Sequence, residues 1–202
     1  MKPRWDAPLS DSVPPVSGMP RRRPQPYEPD FDVQASLIRL TGVDLTAVDG
    51  IGLNLAQIIL SEIGTDMSQW ATEKPFTAWL GLAPRNDISG GKVLRSHTLP
   101  SHNRAGQAFR QAATSVARSP NAFGAYSRRK RAQGGPLFAQ VATAHKIART
   151  VYHLLKYRVP YVDIGAEEFV RKQRERDVNA LRKRAAKLGF ALLDAELVPG
   201  IA

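Results

Sequence analysis

The 202-residue chain has no cysteine, which excludes disulfides and thiolate metal sites. Its four histidines, His97, His102, His145 and His153, are spaced too loosely to suggest a metal centre, so no metal site is expected. No apolar run approaches the ~20 residues that span a bilayer. Arg21-Arg22-Arg23 leads into Pro-rich polar sequence, not the apolar segment of an export signal, so cytoplasmic residence and no membrane partner are expected. Acid is missing too. Between Asp87 and Asp163 there is no carboxylate, although that interval carries 13 Lys and Arg and average acid content would place about seven acids there. Such depletion points to a polyanion, and nucleic acid is the expected one. It also excludes a two-metal nuclease centre built from this stretch alone, because carboxylates are the usual Mg²⁺ ligands.

What is present supports one domain with tails. A chain with 43% hydrophobic residues is long enough for a single core, and a net charge of +11 with pI near 10.3 fits a nucleic-acid partner. Residues 1–32 hold eight of the 15 prolines and little apolar periodicity, and read as a disordered lead-in. Residues 33–160 show helical periodicity punctuated by Gly and Pro, and 161–202 read as a charged helix and C-terminal tail. The expected fold class is all-α.

The first motif lies at about 44–63. Gly50 and Gly52 bracket Ile51, permit a tight hairpin between short helices and leave backbone N–H groups open to a phosphate. Ala56 allows close helix packing, with Val48, Ile51, Ile59 and Ile63 as the apolar interior. The pattern resembles a helix-hairpin-helix; the alternative is an ordinary helical turn with glycine caps.

The second follows Trp79-Leu80-Gly81. Pro84, Gly90 and Gly91 predict a long non-helical loop carrying Ser89 beside unhindered backbone. A serine that attacks a phosphodiester needs a proton acceptor and charge stabilisation. His97 or His102 is a candidate for the first, and Arg85, Lys92, Arg95 and Arg104 are candidates for the second. The competing reading is a plain Ser-Gly-Gly turn. A phosphate-cradling P-loop is excluded, because Asn86 stands where its first Gly is needed and Val93 follows Lys92 in place of Ser or Thr.

Downstream, Ala105, Ala108, Phe109, Ala112, Ala113 and Val116 fall on one helical face of small residues. A short helix near Phe123 to Arg131 carries Arg128, Arg129, Lys130 and Arg131, a nucleic-acid backbone candidate beside Tyr126, unless the run is simply solvated. A helix from about Leu137 to Tyr157 places Val141, Ala144, Ala148, Val151 and Leu155 on a core face, with Lys146 and Arg149 beside it as further nucleic-acid candidates. His145 reads as a core or capping histidine before a general base. The last helix mixes charges at three- and four-residue spacing and reads as solvent-exposed.

Five segments together resemble the C-terminal transposase domain of the IS-one-ten (DEDD) insertion-sequence transposases. They are Val48-Asp49-Gly50-Ile51-Gly52, Glu62-Ile63-Gly64, Gly81-Leu82-Ala83-Pro84 with Ser89-Gly90-Gly91, Asn103-Arg104-Ala105, and Ala142 through Arg149. The resemblance covers about Phe31 to Leu192 and implies DNA transposition, with Ser89 at the position of a serine that forms a covalent protein–DNA intermediate. It implies DNA and a guide (bridge) RNA as partners, oligomers, and an N-terminal RuvC-like domain holding Mg²⁺ on an Asp-Glu-Asp-Asp site. No cofactor is expected within this chain. Asp6, Asp11, Glu28, Asp30 and Asp32 lie in a lead-in too short to preorganise such a site. A truncated or split transposase relying on a RuvC-like partner chain is therefore expected, and a noncatalytic DNA/RNA-binding module or an inactive remnant is the alternative.

Overall fold

The computed structural model describes residues 32–98 and 103–192. The Pro-rich lead-in through Phe31, including Asp6, Asp11, Glu28, Asp30 and the Arg21–Arg23 cluster, lies outside the described residues, as do His102 and the end of the C-terminal tail.

Helix α1 (Val33–Thr41) starts at Asp32, whose carboxylate accepts from the Ala35 N–H at 2.9 Å, and stops at Gly42 in the left-handed region. A 3₁₀ turn (Leu45–Ala47) follows. Its cap Asp44 accepts from Thr46 N and from Gln34 Nε2 of α1, each at 2.9 Å, so one side chain fixes the angle between the two. Helix α2 (Leu53–Ile63) begins at Gly52, and a second 3₁₀ turn (Met67–Gln69) leads into α3 (Glu73–Trp79). Next come strands β1 (Pro84–Ser89) and β2 (Lys92–Thr98), and then helices α4 (Arg104–Val116), α5 (Ala122–Tyr157) and α6 (Ala166–Lys187).

The core forms where α2 and the second arm of α5 close on α4, with α3 packed against α5. Every member of the predicted small-residue stripe, Ala105, Ala108, Phe109, Ala112, Ala113 and Val116, is buried, as are Val48, Ile51, Ala56, Ile59 and Ile63. Full burial of Phe76, Phe109 and Ile59 stabilises by about 1.5–3 kcal/mol per side chain. Trp70 packs edge-on to Phe76 at 5.0 Å, and its carbonyl accepts from Tyr152 Oη at 3.0 Å and Lys156 Nζ at 2.9 Å, which ties α5 to the loop before α3. The two helices expected near Phe123 to Arg131 and Leu137 to Tyr157 are the arms of α5. They are joined where Gly134 and Gly135 leave helical geometry and Pro136 lacks an N–H. Helix α6 buries only Phe169 and docks on the first arm through a satellite cluster with Ala122 and Ala125.

One expectation is corrected. The domain is mostly helical but not all-α, because β1 and β2 form a two-stranded antiparallel hairpin where a long serine-bearing loop was expected. Gly90 and Gly91, with φ of 57° and 74°, make the two-residue turn whose twist suits paired strands.

Gly106 of α4 lies against the Leu80 carbonyl so closely that an added Cβ would stand 2.3 Å from that oxygen. Gly106→Ala is expected to lose about 1–3 kcal/mol by urea denaturation. Gly52→Ala, whose Cβ meets nothing within 4 Å, is the control that should change far less.

Candidate functional site

The hairpin is rooted in the core and then leaves it. Leu80, Gly81 and Leu82 are buried at its base, and Leu82 N and Ala83 N both donate to the Thr77 carbonyl, at 3.0 and 3.2 Å. Arg110 of α4 donates from Nη2 to the Gly81 carbonyl at 2.8 Å, so a basic residue beside the buried stripe of α4 holds the root. From Pro84 outward every β1 residue is exposed.

Pairing decides which side chains share a face. Pro84 pairs with Thr98, Arg85 with His97, Asn86 with Ser96, Asp87 with Arg95, Ile88 with Val93, and Ser89 with Lys92. Residues directly opposite project to the same face, and alternate residues along a strand do likewise. Arg85, Asp87 and Ser89 therefore share one face with Lys92, Arg95 and His97. Between Asp87 and Ile88 the register slips, because Leu94 is an extra residue on β2, a β-bulge. In unbroken register Arg95 and His97 would lie on the opposite face from Lys92. A contact across the face agrees with this placement: His97 Nδ1 lies 4.0 Å from Asp87 Oδ2.

The same register removes His97 as the direct proton acceptor for Ser89. Its row is two face positions from the Ser89 row, about 13 Å along the strand, far beyond hydrogen-bond reach. Lys92 is the residue opposite Ser89, and Arg95 occupies the next row.

The other basic candidates do not form one patch. Arg104 lies 3.5 Å from Glu62, Arg129 lies 3.2 Å from Asp177 of α6, and Arg149 pairs with Glu73. An interval without acid in sequence thus meets acid in space. Arg128 donates to the Ser119 carbonyl at 3.0 Å, Lys130 donates to Gln133 Oε1 at 2.9 Å, and Arg131 is exposed. Four consecutive residues point around a helix, so Arg129 turns to α6 while Arg128 and Arg131 share another side. Among the described residues, Arg85, Lys92, Arg95 and Arg131 make no ion pair with an acid.

Gly50 and Gly52 differ in surroundings. A Cβ on Gly50, whose φ is +84°, would stand 2.6 Å from the Ala112 carbonyl oxygen and from Val116, so this glycine lets the turn press onto α4. Tyr161 reinforces the turn by donating its hydroxyl to Asp49 Oδ2 at 3.1 Å; burial, and then the Asp49 charge, raise the phenol well above its ordinary pKa. Gly52 is exposed, caps α2 without a side chain, and leaves the first backbone N–H groups of α2 accessible. A three-residue 3₁₀ turn, and not a full helix, directly precedes this hairpin.

Lys146 is half-buried among rings. Its Nζ is 4.4 Å from the Tyr126 ring centroid and 4.3 Å from that of Phe169, so it bridges α5 and α6 in place of projecting freely. Burial, with Arg176 and Arg149 nearby, pushes its pKa down to about 8. Burial also lowers the His145 pKa, with Arg149 adding to the shift, in keeping with a packed histidine. For a lysine with a depressed folded pKa, the unfolded chain binds more protons between pH 8 and the ordinary lysine value near 10.5, so this group makes stability rise with pH across that window. Lys146→Met is expected to remove that contribution. The check is the thermal midpoint of wild type minus variant measured from pH 8 to 10, which should climb with pH.

No helix among the described residues is long and apolar enough to cross a membrane. Among those residues no three acidic or imidazole side chains gather as metal ligands. No curated protein matches the chain. The model of the transposase IS116/IS110/IS902 family matches residues 44–128, a span running from the cap of the first 3₁₀ turn through the hairpin and α4 into the first arm of α5. Residues 44–128 of this chain are therefore similar to a transposase domain of the IS116/IS110/IS902 family, a likeness that suggests a role in DNA transposition.

Proposed function

We propose that the chain acts in DNA transposition through Ser89, whose Oγ attacks a backbone phosphodiester. The observation that carries this reading is the position of Ser89 at the tip of an exposed arm, opposite Lys92 and one row from Arg95 on the same face. In the step, an Oγ–P bond forms and the P–O bond to the leaving sugar oxygen breaks. The proton lost by the serine is balanced by the one the leaving oxygen gains. Lys92 and Arg95 stabilise the charge that builds on the phosphoryl oxygens, and the Gly90–Gly91 turn leaves room for the phosphate to approach. With His97 out of reach, the proton acceptor is His102, solvent or a partner.

Gly50, Gly52 and the N-terminus of α2 act as a helix-hairpin-helix that holds a neighbouring stretch of DNA backbone, a role supported by the exposed and uncapped start of α2. Guide RNA and further protomers engage the remaining basic surface, for which the net charge of +11 is the support. Mg²⁺ chemistry belongs to a RuvC-like domain, whichever chain carries it.

The test combines the full chain with a RuvC-like partner, guide RNA and target DNA and looks for a protein–DNA adduct that survives denaturation. Ser89→Ala is expected to abolish the adduct. An adduct of equal yield in that variant would overturn the nucleophile assignment. Salt-sensitive binding with no adduct in either protein would favour a noncatalytic binding module.

A further inference from the structure

The cationic face of the hairpin has a period as well as a charge. Its rows are two residues apart on β1, so along that strand they repeat about every 6.6–6.8 Å, close to the separation of neighbouring phosphates along one DNA strand. On β2 the bulge absorbs the extra residue between Lys92 and Arg95. The tip row holds Ser89 and Lys92, the second holds Asp87 and Arg95, and the third holds Arg85 and His97. Each row carries a Lys or Arg. Asp87 is the one carboxylate in the hairpin sequence, and its Oδ2 lies toward the third-row imidazole, 4.0 Å from His97 Nδ1. That leaves the Arg95 guanidinium, directly opposite Asp87, without an ion-pair partner among the described residues.

We propose that this face is a phosphate ladder, engaging three successive phosphates of a single DNA strand, one per row. Lys92 holds the phosphate presented to Ser89, Arg95 holds its first neighbour, and Arg85 holds the second. The Leu94 bulge is the positioning device. Leu94 is 71% exposed and is left unpaired as the extra residue of β2, so Arg95 and His97 keep the Ser89 face that regular pairing of Leu94 would take from them. Were Leu94 paired in unbroken register instead, it would take the place of Arg95 opposite Asp87, and the second rung would be lost. The ladder deepens the transposition reading and rests on its placement of DNA at the hairpin, but not on serine chemistry.

The absence of cysteine makes a site-specific test available. In the full chain, Ser89→Cys supplies a unique thiol. A single-stranded oligonucleotide carries, on one phosphate, a short tether ending in a disulfide to a small thiol. The introduced thiolate displaces that small thiol, and the exchange equilibrium constant reports how well the strand sits on the arm. Replacing one neighbouring phosphate at a time by an uncharged methylphosphonate then removes one rung.

On one side of the tether, neutralising the first neighbour should lower the exchange constant about fivefold, and this loss should vanish when Arg95→Ala is added. Neutralising the second neighbour on that side should couple to Arg85→Ala in the same way. Deleting Leu94 leaves Arg95 opposite Asp87 in a regular register, so the first coupling should survive that deletion. Far-UV circular dichroism checks the fold, and because no β1 residue is buried the point variants serve if the deletion disturbs the hairpin. Losses that are the same with and without Arg95 and Arg85, or that couple in the reverse order, would overturn the ladder. Such a result would leave the Ser89 adduct experiment standing, since the tethered assay contains no serine at that position. A missing adduct likewise leaves the ladder intact.

Discussion

Helix α4 can lie between α2 and α5 because Ala105, Gly106, Ala108, Ala112 and Ala113 carry a methyl group or less on its buried surface. Close approach of backbones then replaces side-chain bulk as the source of contact, and two positions show how tight it is. Gly106 meets the Leu80 carbonyl, and Gly50 meets the Ala112 carbonyl. These contacts set where the rest of the molecule stands. Through Leu80, Thr77 and the Arg110–Gly81 hydrogen bond, the depth of α4 fixes the root of the hairpin. Through Gly50 it fixes the turn that starts α2. Both segments proposed to meet DNA are thus referenced to one helix.

Charge is distributed by the fold in a way the linear order conceals. Glu62, Glu73 and Asp177 all lie outside the acid-free interval, and they meet Arg104, Arg149 and Arg129. Exposed pairs of this kind contribute little to stability. Their larger effect is to reduce the cationic character of the helical body, so that the arm keeps a concentrated share of uncompensated charge. Lys146 is withdrawn by another route, with its ammonium sandwiched between the rings of Tyr126 and Phe169.

Much of the helical framework was legible because its signals are local or periodic. The stripe on α4 follows from small residues at helical spacing, and Val48, Ile51, Ile59 and Ile63 are buried as their pattern implies. The two arms of α5 follow from Gly134-Gly135-Pro136, which no regular helix carries through unbroken. The hairpin was missed, although Gly90-Gly91 between Ser89 and Lys92 is a two-residue turn signal. Arg85, Asn86, Asp87, Lys92 and Arg95 hide the alternation that marks a strand packed on a core, because this pair packs on none. The bulge at Leu94 has no signature in the sequence. It is a register choice, and with it went the positions of Arg95 and His97 relative to Ser89. Pairings such as Arg129 with Asp177 span 48 positions and depend on how α6 docks.

The arm from Pro84 to Ser89 buries nothing, whereas its root is among the most tightly packed parts of the molecule. Substitutions along the arm therefore escape the penalty that a misfit imposes in the interior. A lineage carrying this domain can rewrite the surface of the arm while its folding yield and cellular half-life stay the same. The one feature that cannot drift freely is the register of β2, where pairing Leu94 in place of Arg95 would carry Arg95 and His97 to the other face of the arm at a stroke.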